Sequence, residues 1–157
     1  LSPQLIQTAI ESYSGVKRRF EYIVNSEDLV YIDDYAHHPS EIEALIRSVK
    51  KLYPEKKITA IFQPHLFTRT RDFQKGFSES LSQADEVILL DIYPARELPI
   101  IGITSEVILD DISHESKCIA HLGDFPSFLN QYDLEVLLTI GAGDIDTLIP
   151  IIKSHYT

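Results

Sequence analysis

The sequence predicts an α/β domain built on a mostly parallel, doubly wound sheet with an antiparallel hairpin at one edge. Three observations carry this. Short apolar runs alternate with amphipathic stretches, and no internal repeat or Gly/Ser-rich linker divides the chain. Runs such as Val87-Ile88-Leu89-Leu90 and Val136-Leu137-Leu138-Thr139-Ile140 are apolar without alternation, as expected for strands covered on both faces. Strands separated by helices of this length imply parallel pairing through right-handed crossovers. A length of 157 residues suits one domain with a core that needs no staples.

Each element follows from local chemistry. Ser2-Pro3 sets a helix start, with Leu5, Ile6, Ala9 and Ile10 on one face and Gly15 as its close. Arg19–Asn25 and Leu29–Asp33 read as extended runs about a turn at Ser26–Asp28, the edge hairpin. Ser40–Leu52 is a helix with a capping box from Ser40 to Glu43 and apolar Ile42, Leu45, Ile46 and Val49. Lys57–Phe62 is a strand, Asp72–Leu81 a helix and Glu86–Leu90 a strand. Thr104–Asp110 is a short helix and Lys117–Ala120 a short strand. Phe125–Gln131 is a helix, Leu134–Ile140 a strand, and Asp144–His155 the last helix.

Composition narrows the function classes. Fourteen Lys and Arg against 24 Asp and Glu leave a net charge of −10, which argues against a nucleic-acid partner. Apolar runs are too short to span a bilayer, and no basic segment followed by an apolar run marks a signal peptide. A single cysteine, Cys118, in a predicted strand reads as core and suits a reducing cytoplasm. Methionine is absent even at position 1, as in a piece excised from a longer protein or in a proteolytically processed one.

The unusual residues fall directly after strands. Asp33-Asp34-Tyr35-Ala36-His37-His38-Pro39 follows one, and Gln63-Pro64-His65, with Thr68-Arg69-Thr70-Arg71 beyond, follows another. Asp91-Ile92-Tyr93-Pro94-Ala95-Arg96-Glu97 and Gly141-Ala142-Gly143-Asp144 follow two more. In an open parallel sheet the carboxyl ends share one rim, where ligands bind, so these segments should meet. Asp33, Asp34, His37 and His38 read as an Asx-turn and helix cap, as an anion site at a helix start, or, less well, as metal ligands. His65 and Arg69 read as a receptor for a small carboxylate or as a surface loop. Arg96-Glu97 reads as an ion pair or rim contact, and the glycine pair of GAGD as a tight turn or a weak nucleotide signal. Neither a G-x-x-x-x-G-K-[ST] phosphate loop nor a G-x-S-x-G elbow occurs, so the chain holds part of a site.

The segments YIDDYAHHPSEI, FQPHLFTRTRDF, DIYPARELPIIGIT and TIGAGDI, in this order, resemble the C-terminal domain of the Mur ligase family. The opening GVKRRFE resembles the entry into that domain, and FQPH followed by TRTRD resembles the branch adding L-alanine to UDP-N-acetylmuramate. The resemblance implies a Rossmann-like fold and a cytoplasmic three-domain enzyme whose N-terminal domain holds the UDP-sugar. Its central domain would hold ATP and Mg²⁺, and this domain would pack against both. It implies an acyl phosphate on the muramoyl carboxylate, attacked by the amine of alanine. It places Asp33 and Asp34 on the ATP ribose, His37 near the phosphates and Arg18 or Arg19 on the nucleotide. His65 and Arg69 would hold the incoming alanine, with Tyr93, Arg96 and Glu97 on the same rim. Leu66 stands where many members carry a basic residue, so Arg69 would act without it. The competing readings are the ligase that recycles an intact tripeptide, a stand-alone nucleotide- or carboxylate-binding module, and a small metallohydrolase.

Overall fold

The computed structural model describes residues 2–12, 15–125 and 127–156. Its sheet runs β1-β2-β6-β3-β4-β5, with β1 antiparallel to β2 and every other neighbouring pair parallel. The strands are β1 (Glu21–Asn25), β2 (Val30–Asp34), β3 (Ile58–Phe62), β4 (Glu86–Leu89), β5 (Lys117–Ile119) and β6 (Val136–Ile140). The helices are α1 (Pro3–Glu11), α2 (Pro39–Leu52), α3 (Phe67–Leu81), α4 (Glu106–Asp110) and α5 (Leu148–Tyr156). The expected α/β class, with its edge hairpin, is what the chain forms. Among the described residues no helix is long and apolar enough to cross a membrane.

Central strands β3 and β6 are buried at every position, which explains their unalternating apolar runs. Alternate side chains still part to opposite faces of the pleat. Ile32, Ala60, Phe62, Val87, Leu89 and Leu138 cluster with Ile42, Ile46 and Val49 of α2 and Phe77 and Leu81 of α3. Tyr31, Ile61, Ile88, Leu90 and Leu137 cluster instead with Leu129, Ile145, Leu148 and Ile152. Each such aliphatic or aromatic side chain contributes about 1.5–3 kcal/mol on full burial.

Several boundaries differ from expectation, each for a local reason. Ser2 caps α1 as expected, accepting the Leu5 N–H at 3.3 Å, but α1 ends at Ser12, and Gly15 (φ +85°) turns the chain beyond it. Leu5, Ile6 and Ile10 are exposed, and the Ala9 side chain lies outside the described residues. The cap of α2 is His38 with Glu41, not Ser40 with Glu43, because Pro39 takes the first helical position. α3 starts at Phe67 rather than Asp72, so Thr68–Arg71 lie in its first turns. The expected helix at Phe125–Gln131 reduces to a 3-10 turn at Leu129–Gln131, and Pro126 lies outside the described residues. Too short to bury a stripe, that run follows the tertiary packing of Phe125 and Leu129. The last helix splits into a 3-10 turn at Asp144–Thr147 and then α5.

Candidate functional site at the carboxyl rim

Because β2, β6, β3 and β4 are consecutive parallel neighbours, the segments leaving them converge on one edge. Arg18 stands at its root with φ +57°, an unfavourable conformation that its contacts must hold. Its Nε donates to Asp33 at 3.2 Å, and its terminal nitrogens reach the Gly141 carbonyl at 2.8 Å and Asp146 at 3.5 Å. The guanidinium also lies 5.1 Å from the centroid of Tyr35. Asp33 is fully buried and accepts the Thr139 hydroxyl at 2.6 Å, with Tyr31 Oη 3.1 Å from the same Thr139 oxygen. Burial pushes the Asp33 carboxyl up, opposed by the Thr139 bond and the Arg18 charge. The structure thus turns Asp33 and Arg18 inward, towards each other.

Asp34 is half-buried and accepts the N–H groups of Phe20 at 2.7 Å and Ala36 at 2.8 Å. This is the Asx-turn among the expectations for the segment. At the start of α2, Glu41 accepts the N–H groups of His37 at 2.9 Å and His38 at 3.1 Å. Burial opposes the charged form of Glu41, yet the His37 bond and charge prevail and hold its carboxyl below the ordinary value. The His37 ring sits 3.0 Å from the Tyr35 carbonyl, while His38 packs edge-on against Phe73. Arg19, Phe20, Asp34, Tyr35, Ala36, His37 and Glu41 line a cavity of about 340 Å³. Arg19 is exposed beside it, in contrast to its inward neighbour.

The second and third segments interlock. Backbone bonds join Tyr93 N–H to the Pro64 carbonyl at 2.8 Å and Leu66 N–H to the Tyr93 carbonyl at 2.9 Å. The His65 and Tyr93 rings stack with centroids 5.5 Å apart. Arg69 Nη1 lies 3.4 Å from His65 Nδ1. Burial, then the charges of Arg69 and His37, pull His65 below its ordinary value against the opposing charge of Glu97. These influences all favour the neutral form of His65 except that of Glu97. With Nδ1 accepting from Arg69, its proton belongs on Nε2. Arg69 and that N–H are two donors suited to one carboxylate.

Glu97 does not pair with Arg96, which is exposed. Its carboxylate accepts the Thr68 N–H at 3.0 Å and the Thr68 hydroxyl at 2.5 Å, and is held below the ordinary value chiefly by that hydroxyl. The GAGD segment forms a tight turn closed by Gln63, which donates to Asp144 at 2.6 Å and accepts the Ile145 N–H at 3.0 Å. Gly141 (φ +151°) and Gly143 are required there, since a Cβ at 143 would lie 2.7 Å from Tyr93. Gln63 was placed on the rim without a role, and the parts played by Thr139 and Glu41 escaped the sequence reading. The signal for two of them was a polar residue at the end of, or inside, an otherwise apolar strand. Among the described residues no three His, Cys, Asp or Glu converge as metal ligands. Cys118 packs on the second core cluster, 3.3 Å from Tyr132 Oη.

Comparison with known proteins agrees with this fold. The family model described as Mur ligase, glutamate ligase domain, matches residues 18–144. The UDP-N-acetylmuramate–L-alanine ligase of Flavobacterium johnsoniae is 54% identical over 148 residues, covering 94% of this chain and 33% of that protein. The crystal structure of the UDP-N-acetylmuramate–alanine ligase of Thermotoga maritima superposes with a TM-score of 0.76 at 28% identity, over 95% of this chain and 32% of that one. A murein peptide ligase from Psychrobacter arcticus shares the fold, with a TM-score of 0.64 at 20% identity over 90% of this chain and 30% of that one. The chain thus spans about one third of the length of the relatives it matches.

Proposed function

The chain belongs to the Mur ligase family, and on that premise we propose that it is the C-terminal, closing domain of a three-domain ATP-dependent ligase. The whole enzyme adds L-alanine to UDP-N-acetylmuramate in peptidoglycan biosynthesis, and this domain alone is inactive. The observation that carries the reading is the pairing of Arg69 with His65, 3.4 Å apart, on the same rim as the cavity lined by Arg19 and His37. It sets a carboxylate receptor next to a recess with cationic and aromatic walls.

That recess fits one wall of a nucleotide site. Arg19 faces it with positive charge, His37 brings an imidazole, and Asp34 offers a carboxylate to a ribose hydroxyl. Asp33 and Arg18 support this wall from behind. ATP supplies the phosphoryl group that activates the muramoyl carboxylate, with Mg²⁺, held mainly by the central domain, offsetting charge. Arg69 holds the alanine carboxylate through its planar fork and His65 adds the Nε2 donor, while Tyr93 packs on the imidazole and Arg96 lies at the outer rim. Fixing the carboxylate orients the amine towards the activated carbonyl, which is catalysis by positioning. The domain closes over the central and N-terminal domains and excludes water from the reacting groups.

The test is ADP release by the complete polypeptide, given UDP-N-acetylmuramate, Mg-ATP and a panel of amino acids and short peptides. Release dependent on L-alanine is expected. Release only with a tripeptide would reassign the chain to the recycling ligase, and no release with any acceptor would favour a binding module.

A further inference from the structure

α3 lacks the cap that a helix of its length ordinarily has. Its N-cap residue is Leu66, which has no side-chain oxygen and sits at φ +72°, where a β-carbon is unfavourable. The first N–H groups of a helix nevertheless need acceptors. Glu97, 29 residues beyond Thr68, supplies one by accepting the Thr68 N–H at 3.0 Å, and it accepts the Thr68 hydroxyl as well.

The loop that carries Glu97 is itself pinned. Tyr93 is joined by backbone bonds to Pro64 and Leu66, and Glu97 N–H donates to the Pro94 carbonyl at 2.9 Å. In that turn Ala95 has φ +49°, a second conformation kept only by its surroundings. One short loop therefore stacks Tyr93 on His65 and closes the first turn of α3, the turn in which Arg69 is the third residue.

We infer that Glu97 is a positioning residue for amino-acid recognition: it caps α3 from the β4–α4 loop and so fixes Arg69 against His65 without touching the substrate. The inference rests on the functional reading above. It also moves Glu97 from a direct rim contact to support of the residue behind one, because its carboxylate is turned onto the helix start.

Kinetics of the complete ligase separate these roles. Glu97→Ala should raise the KM for alanine about tenfold while kcat and the KM for ATP stay within about twofold, as loss of uniform substrate binding does. Glu97→Gln keeps an acceptor oxygen for the helix and should recover much of the loss. Thr68→Val removes one of the cap's bonds and changes no charge, so it should raise the same KM about threefold. A Glu97 that held the alanine ammonium directly would give the opposite pattern, with Gln as damaging as Ala and Thr68→Val silent. That pattern, or an unchanged KM in Glu97→Ala, would overturn the inference. Absence of alanine-dependent ADP release in the unmodified enzyme would sink the functional reading, and this inference with it.

Discussion

Arg18 and Asp33 form an ion pair at 3.2 Å that ties the segment before β1 to the carboxyl end of β2, with the aspartate side chain wholly out of solvent. The pair is served on both sides, by Thr139 on the aspartate and by the Gly141 carbonyl on the arginine. Removing one member leaves the other buried and unpaired, a change that costs about 3–5 kcal/mol for a fully enclosed pair. Arg18 keeps 18% of its side-chain surface, so Arg18→Ala should fall at or below the lower end of that range. Chemical denaturation of the 157-residue chain measures it, and a loss under about 1 kcal/mol, the level of an exposed pair, would show that Arg18 is not an anchor.

Gly143 has no room for a methyl group, whereas an added Cβ at Gly123 meets nothing within 4 Å. Gly143→Ala should destabilise the chain by about 1–3 kcal/mol, the usual cost of overpacking. Gly123→Ala should be near neutral. Equal thermal midpoints for the two variants would contradict the packing at Tyr93 and Gln63.

Two histidines should titrate in opposite directions from the ordinary value of 6.5. Burial, with Arg69 and His37, lowers His65, whereas the hydrogen bond to Asp91 at 2.6 Å raises His121. A lowered histidine leaves the unfolded chain holding the extra proton, so its penalty on folding is absent above pH 6.5 and grows as pH falls below it. The raised His121 adds stability that is complete below 6.5 and fades as pH climbs through its folded value. Proton NMR of the imidazole resonances checks both, and a His65 midpoint at or above 6.5 would remove the argument for its neutral form.

One wall of a site binds weakly. The cavity by Arg19 and His37 is open, and the Asp34 carboxylate already accepts two backbone N–H groups. Calorimetry of the 157-residue chain with Mg-ATP should therefore show a Kd of about 1 mM or weaker, roughly −4 kcal/mol or less. Micromolar binding would mean that the chain carries a complete nucleotide site.

The rim was legible because strand exits are legible. An apolar run followed by DDYAHHP or QPH marks where a parallel strand ends, and parallel order brings those ends together. Direction within the rim was not. Arg18 and Arg19 are adjacent and chemically identical, yet one points into the turn of β6 and the other to the cavity. That choice depends on a backbone at φ +57°, which no sequence periodicity reports. Glu97 was expected on the rim, but its bonds to the start of α3 were hidden for a related reason. Its partners lie 29 positions away in a helix whose start was expected five residues late, since Leu66 carries none of the usual N-cap chemistry.

The sheet also divides the molecule into halves of unequal sturdiness. One face is clad by α2 and α3, with 14 and 15 residues, and the other mainly by 3-10 turns and the nine-residue α5. Short turns hold fewer cooperative hydrogen bonds, so opening should begin on that second face. Amides around Leu129–Gln131 should exchange with solvent long before those of α2. The rim segments borne on β2 and β3 would then keep their arrangement while the opposite face breathes, leaving the receptor rigid in a domain that is locally soft.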